Sequence, residues 1–267
     1  MVKKWIFLFL GLFLGLFLMP AASAADASFF EKHENPSYEE PDHHFSKTTG
    51  TITIHHILDN DEYVLESKGT LKTKSPAEKQ QVQMILLEDG YVKDSAAAWL
   101  EGDDHLTALK RTPSEDSGRY DLAGFYSMKN APVYTFDWSS SSLYVLDTPI
   151  SDLHSFTLAD SEEEKKAGKM MDTIINQQQQ HVKRFIRDSA GLSESSRLFP
   201  ITRWKQYMSP SVSGLDPRAV EKAWQDVYYT VEDVTASRRK QRKKVMPFVN
   251  WNKEQKRLSL FIHYSST

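Results

Sequence analysis

Residues 160–191 read DSEEEKKAGKMMDTIINQQQQHVKRFIRDSAG, and the spacing of apolar residues in this stretch decides the fold class. Ala167, Met170, Met171, Ile174, Ile175, Val182, Phe185 and Ile186 recur at the helical period, with polar residues opposite. Glu162, Glu163 and Glu164 open the segment, and Lys183, Arg184 and Arg187 close it. Acids at the start and bases at the end complement the helix dipole. Gly191 supplies the stop.

Upstream the period is two. Thr51-Ile52-Thr53-Ile54-His55-His56-Ile57 alternates and is dense in β-branched residues. Asp59-Asn60-Asp61 is turn chemistry, and Tyr63-Val64-Leu65 resumes an extended run, so a hairpin is expected. Further short runs lie at Leu106–Lys110, Tyr120–Tyr126, Val133–Trp138 and Leu143–Leu146. Pro113, Gly118, Pro132 and the flexible-looking Ser139–Ser142 separate them, as in an antiparallel meander. Ser75-Pro76-Ala77-Glu78 resembles a capping box with proline at the first helical position. It favours a short helix through Val82, Ile85 and Leu86 over a strand ending at Asp89-Gly90.

Downstream, Asp216-Pro217 starts a second helix with the stripe Val220, Ala223, Trp224, Val227, Tyr228 and Val231. Ile201–Met208, between Pro200 and Pro210, is less regular. At the end, Leu258, Leu260 and Ile262 alternate with Ser259, Phe261 and His263, a strand pattern. The expectation is therefore α+β: an antiparallel sheet, two amphipathic helices after it, and a C-terminal strand that rejoins the sheet. Residues 49–267 form one unit, strand-rich over 49–157 and helical over 158–267 with the terminal strand.

The N-terminus reads as an address. Lys3 and Lys4 precede an uncharged, largely apolar run of 15 residues, Trp5 to Met19. Pro20 breaks it, and Ala22-Ser23-Ala24 gives the small-x-small cleavage pattern. Cleavage is expected after Ala24, with Ala27 the second choice. The run is shorter than the roughly 20 residues of a bilayer span. No Arg-Arg pair precedes it, so the general secretion route fits, and the mature chain is expected to be secreted or cell-surface associated. No second run is long enough to span a membrane. Residues 25–48, with Glu31, Glu34, Glu39, Glu40, Asp42, Pro36 and Pro41, show neither period and read as an extended arm.

Of 267 residues, 40% are hydrophobic and 26% charged, which excludes a wholly disordered or collagen-like chain. There is no cysteine, so disulfides, thiolate metal sites and cysteine nucleophiles are excluded. Export without cysteine suggests a bacterial source.

Charge is split along the chain. Residues 25–165 hold 27 acids and 12 bases, a net of −15; residues 166–267 hold 9 and 19, a net of +10. Two readings follow: the halves dock and neutralise each other, the commoner outcome, or a basic face meets an external polyanion.

The sharpest local feature is Arg238, Arg239, Lys240, Arg242, Lys243 and Lys244, six cations in seven residues beside Met246, Phe248 and Trp251. Phosphate contact is the functional reading; a solvated helix end facing its own dipole is the plain one. Export argues against nucleic acid, leaving anionic wall polymer or anionic lipid as partner.

Other constellations are weaker. His33, His43 and His44 lie in the arm without an evident frame for a metal. His55 and His56 are adjacent in a strand and point to opposite faces. Asp59, Asp61 and Glu62, like Asp103 and Asp104, read as turns and not as calcium loops. The zinc-peptidase, nucleophile-elbow and glycine-rich nucleotide motifs are absent, so no cofactor, metal site or catalytic residue is expected. Large aromatics, Trp224 above all, read as core. The sequence thus points to an exported, non-enzymatic binding or structural protein contacting anionic wall polymer or lipid through residues 238–244. An exported hydrolase of wall or polysaccharide, using carboxylates, is the alternative.

Overall fold

A computed structural model of the chain describes residues 26–27, 37–39, 41–57, 62–114, 117–150, 153–157 and 161–266. The leader, with Ala22 and Ala24, most of the arm and the turn residues Asp59, Asn60 and Asp61 lie outside them. The described strands are β1 (Asp26–Ala27), β2 (Ser37–Tyr38), β3 (Phe45–Ile57), β4 (Glu62–Ala77), β5 (Lys79–Glu88), β6 (Tyr91–Leu100), β7 (Asp103–Pro113), β8 (Gly118–Asn130), β9 (Val133–Ile150), β10 (Leu153–Thr157), β11 (Arg197–Pro200), β12 (Lys243–Asn252) and β13 (Arg257–Ser266). The helices are α1 (Pro41–His44), α2 (Glu162–Ala190), α3 (Trp204–Met208), α4 (Pro210–Ser213) and α5 (Pro217–Arg239), with a 3-10 turn at Ile201–Arg203.

The fold is α+β, with the period change near Asp160 separating strands from helices. Strands β3-β4-β7 make the first sheet. The second, β10-β9-β8-β5-β6, also takes β2 in a short parallel contact with β9. The third is β1-β13-β12-β11. Apart from β2, every pairing is antiparallel.

Both faces of the second sheet are covered. Val82, Met84, Leu86, Leu122, Tyr126 and Met128 meet the first sheet. Ile85, Leu87, Phe125, Phe136 and Trp138 meet α5. The first sheet lies so close that a Cβ on Gly69 would fall 2.6 Å from the sulfur of Met84. Two-sided burial corrects the expected helix after Ser75: β5 is buried without a break from Val82 to Glu88. A continuous apolar run cannot be told from a helix by period alone. Asp89 and Gly90, at φ 52° and 87°, close β5 onto β6 in the left-handed backbone of a two-residue hairpin. Ser139–Ser142 is likewise no turn. It lies inside the 18-residue β9, paired with Gly124 to Asp121 of β8.

α2 forms as its ends predict. Ser161 and Glu164 make a reciprocal capping box, and Gly191 ends the helix at φ 60°. Its apolar stripe, however, is wider than the surface it covers. Val182 and Ile186 pack on Leu198, Met246 and Phe248 of the third sheet, and Ile175 is buried too. Met170, Ile174 and Phe185 stay about 60% exposed.

α5 begins at the Asp216 cap and Pro217. It packs on both the second and third sheets, and its Trp224 stacks on Phe125 at 5.6 Å between ring centroids. Leu258 and Leu260 of β13 join the same cluster from the third sheet. β13 follows β12 after a short turn and pairs with it from Lys243↔Ser266 to Asn252↔Arg257, so with β1 at its other edge it completes a separate small sheet and does not rejoin the main one.

Candidate polyanion-binding site

The six cations sit where α5 turns into β12. The helix ends at Arg239, Lys240 caps it in helical geometry, and the N–H groups of Gln241 and Arg242 donate to the carbonyls of Arg238 and Arg239. Arg242 takes φ 53°, which reverses the chain into the strand. Arg238 and Arg239 thus lie in the last turn, where the helix dipole favours positive charge. Lys243 and Lys244, successive strand residues, point to opposite faces of the third sheet.

Their contacts divide them. The Arg238 guanidinium lies 4.6 Å from the Tyr264 ring centroid and donates to Gln241 Oε1 at 3.0 Å. Arg239 donates to the Lys93 carbonyl. Arg242 has a protein partner too. Lys240, Lys243 and Lys244 are exposed and, among the described residues, none pairs with a carboxylate. Lys244 feels Asp89, at the β5–β6 turn, only through space.

Mutual neutralisation of the halves is therefore not how this segment is satisfied. Among the described ion pairs, two join residues before 166 to residues after 165. Lys205 meets Asp137 at 3.0 Å and Arg119 meets Asp172 at 2.9 Å. Neither involves residues 238–244.

Sequence reasoning missed a buried charge network behind this junction. Asp121, 5% exposed, accepts from Arg119 Nε and Nη2 and from the Ser142 hydroxyl on one oxygen. Arg119 Nη1 reaches Asp172 of α2, which also accepts from the Tyr144 hydroxyl. Glu88 accepts from Tyr120 at 2.7 Å and from Lys93 at 3.3 Å. The signal was present: Asp121 and Glu88 interrupt apolar strands at positions that two-sided burial places inside. Each carboxylate is held by fixed donors, so the network clamps β8, β9 and α2 together.

Asp89 is the exception. Burial pushes its carboxyl above the ordinary 3.8, Glu88 and Asp121 add to the rise, and the Arg119 N–H and Lys244 oppose it. A raised folded-state value means that Asp89 favours folding fully only below its ordinary value. That contribution is lost as pH rises through the folded value. Asp89→Asn is expected to be more stable than the parent at pH 7, with the gain vanishing below about pH 4. Asparagine tolerates the left-handed turn and keeps the bond to the Arg119 N–H. Urea unfolding at the two pH values reads this directly, and a loss of stability at pH 7 would show that the Lys244 attraction outweighs burial.

The remaining candidates read as structure. His44 bonds Glu39 at 2.6 Å, and His55 lies 4.0 Å from Glu66. The Asp103 carboxylate accepts the N–H groups of Asp104 and His105, which is turn chemistry. Among the described residues no three histidines or acids converge as metal ligands. Trp138, Trp204, Trp224 and Trp251 are buried, and Trp99 is exposed. No protein-family model matches this chain. None of the curated proteins compared with it is significantly similar in sequence.

Proposed function

We propose that this is an exported, non-enzymatic binding or structural protein whose α5–β12 junction contacts a phosphate-bearing polyanion, either wall polymer or lipid headgroups. The observation that carries this reading is the state of Lys240, Lys243 and Lys244. They are exposed on a junction fixed by hydrogen bonds, and no described carboxylate pairs with them. Cations that no internal acid claims keep their full attraction for an external one. The leader-like residues 1–24 support export. No helix among the described residues is long and apolar enough to cross a membrane, so lipid contact would be made at the headgroups.

Co-sedimentation of the purified chain with bacterial walls, and separately with phosphatidylglycerol–phosphatidylcholine vesicles, tests this. Retention at low ionic strength should fall steeply between roughly 50 and 200 mM salt, because binding releases counterions. Retention by walls but not vesicles identifies the polymer; the converse identifies lipid. No retention by either at low salt would sink the proposal, and turnover of labelled wall polymer by the pure chain would replace it with the hydrolase.

A further inference from the structure

The face of the third sheet that carries α2 changes character along its length. On β12 this face reads Met246, Phe248, Asn250, Asn252. On β13 the paired residues are His263, Phe261, Ser259 and Arg257. The opposite face does not change: Val245, Val249, Trp251, Leu258 and Leu260 are all buried against α5. α2 stops at Ala190, so the apolar half of the face lies under the helix and the polar half continues beyond its end. What lies over the polar half is a half-open cleft of ≈ 310 Å³, lined by residues 190–193, Ser196 and Gln255 and by residues of β12 and β13.

The switch to polar residues is not simple solvation. Asn250 is only 4% exposed and Ser259 only 8%, although both line the cleft. Among the described residues the Asn250 Oδ1 atom has no hydrogen-bond partner. A buried amide oxygen without a donor among the described residues, in the buried middle of β12, calls for a reason. The cleft is at the small end of ligand pockets, about 300–1,000 Å³.

The lining selects the ligand by exclusion. Among the described lining residues there is no carboxylate, so this set suits neither a cation nor a metal. Its sole cation is Arg257, which is exposed and already has a partner, so it lacks a cradle for an anion. The carbonyl end of α2 also disfavours negative charge. What remains is a neutral set of amides and hydroxyls, with the half-buried Phe261 ring at one side. Such a set matches a small neutral molecule rich in hydroxyl and amide groups, with an apolar ring face to lay on Phe261. We infer that this cleft is a saccharide site, sized for one or two rings, and that acetamido sugars fit it best. Their N–H and hydroxyl groups offer the Asn250 Oδ1 atom the donor it lacks once the side chain turns that oxygen into the cleft.

This site is separate from the basic junction. Asn250 and Lys243 are seven residues apart on one strand, about 23 Å at 3.3 Å per residue. The inference does not rest on polyanion binding, and the two can fail independently.

The test is a titration of the isotope-labelled full chain, followed by the side-chain amide signals of Asn250, Asn252 and Gln255. The probes are N-acetylglucosamine, its β-1,4 disaccharide, glucose and inorganic phosphate. Shifts confined to these amides are expected with both acetamido sugars, with millimolar or tighter affinity and weaker binding of glucose. Gln255→Ala, an exposed position, should weaken the disaccharide at least tenfold with an unchanged unfolding midpoint. Asn250→Leu should abolish binding and raise the midpoint, because an amide kept for a ligand is a burden to the empty fold. A lower midpoint would assign Asn250 a structural role and overturn the inference. So would the absence of shifts with every sugar, or shifts with phosphate alone. Loss of vesicle or wall retention by Lys240→Gln/Lys243→Gln/Lys244→Gln, with sugar shifts intact, is the expected sign that the two sites are independent.

Discussion

Replacing Lys240, Lys243 and Lys244 together by glutamine is expected to lower partitioning onto anionic vesicles about 100-fold at low salt. A cation close to an anionic lipid surface contributes about 1 kcal/mol, and 1.4 kcal/mol is tenfold, so three such residues give about two orders of magnitude. Including Arg238, Arg239 and Arg242 sets an upper bound of about four orders, which should not be reached. Arg238 is stacked on Tyr264, Arg239 is bound to the Lys93 carbonyl and Arg242 has its own partner. These arginines would have to give up or share existing contacts to meet a surface. The triple variant should also keep its unfolding midpoint, because exposed residues without partners usually change stability by less than about 0.5 kcal/mol. The six-fold variant is the poorer test for that reason: it removes the ring contact and the link to Lys93 along with the charge. Vesicle flotation against salt, with thermal unfolding in parallel, separates the two effects. Unchanged binding of a folded triple variant at low salt would move the contact away from this junction.

The elements that declared themselves in sequence are those whose ends carry chemistry. α2 has its acidic start, its basic end and Gly191, and α5 has Asp216 and Pro217; each signal is local, so each was legible, although the Ser161–Glu164 capping box went unread. β5 was not, because its residues are buried on both faces. Val82, Met84 and Leu86 face one layer and Ile85 and Leu87 the other, which erases the alternation that marks a strand with one wet side. Ser139–Ser142 misled for the opposite reason. Serine is a turn former by composition, yet Ser139 bonds the Tyr126 hydroxyl and Ser142 bonds Asp121 inside a sheet. The partner of β13 could not be read either, because Lys243–Asn252, which pairs with it, reads in sequence as a cation run and not as a strand. Residues 238–244 were visible as a run, but whether acids would claim them is a matter of three-dimensional neighbours. The cleft beside Asn250 was invisible for the same reason: its lining joins residues 190–196 to residues 250–261.

The largest stability effect should come from Trp224→Ala, at about 3–5 kcal/mol. Trp224 is fully buried, stacked on Phe125 and edge-on to Trp204 at 5.2 Å. Its indole N–H has no hydrogen-bond partner, so the substitution strands no polar group and the loss is one of packing alone. The aromatic pairs add about 0.5–1.5 kcal/mol beyond buried area, which places the result in the upper part of the range. For a chain of this size each kcal/mol lowers the midpoint by about 2–4 °C, so a fall of roughly 10–15 °C is expected. Trp99→Ala is the control: Trp99 is 69% exposed, and its loss should shift the midpoint by no more than a degree or two. The position of Trp224 adds a second expectation. Its cluster joins β5, β8 and β9 to β11, β12 and β13 through one helix, so a cavity there loosens both sheets at once. Near-ultraviolet and far-ultraviolet circular dichroism should therefore report one coincident transition in the parent chain and in the variant. Two separated transitions, or a midpoint within a few degrees of the parent, would mean that α5 is not the shared core of the two sheets.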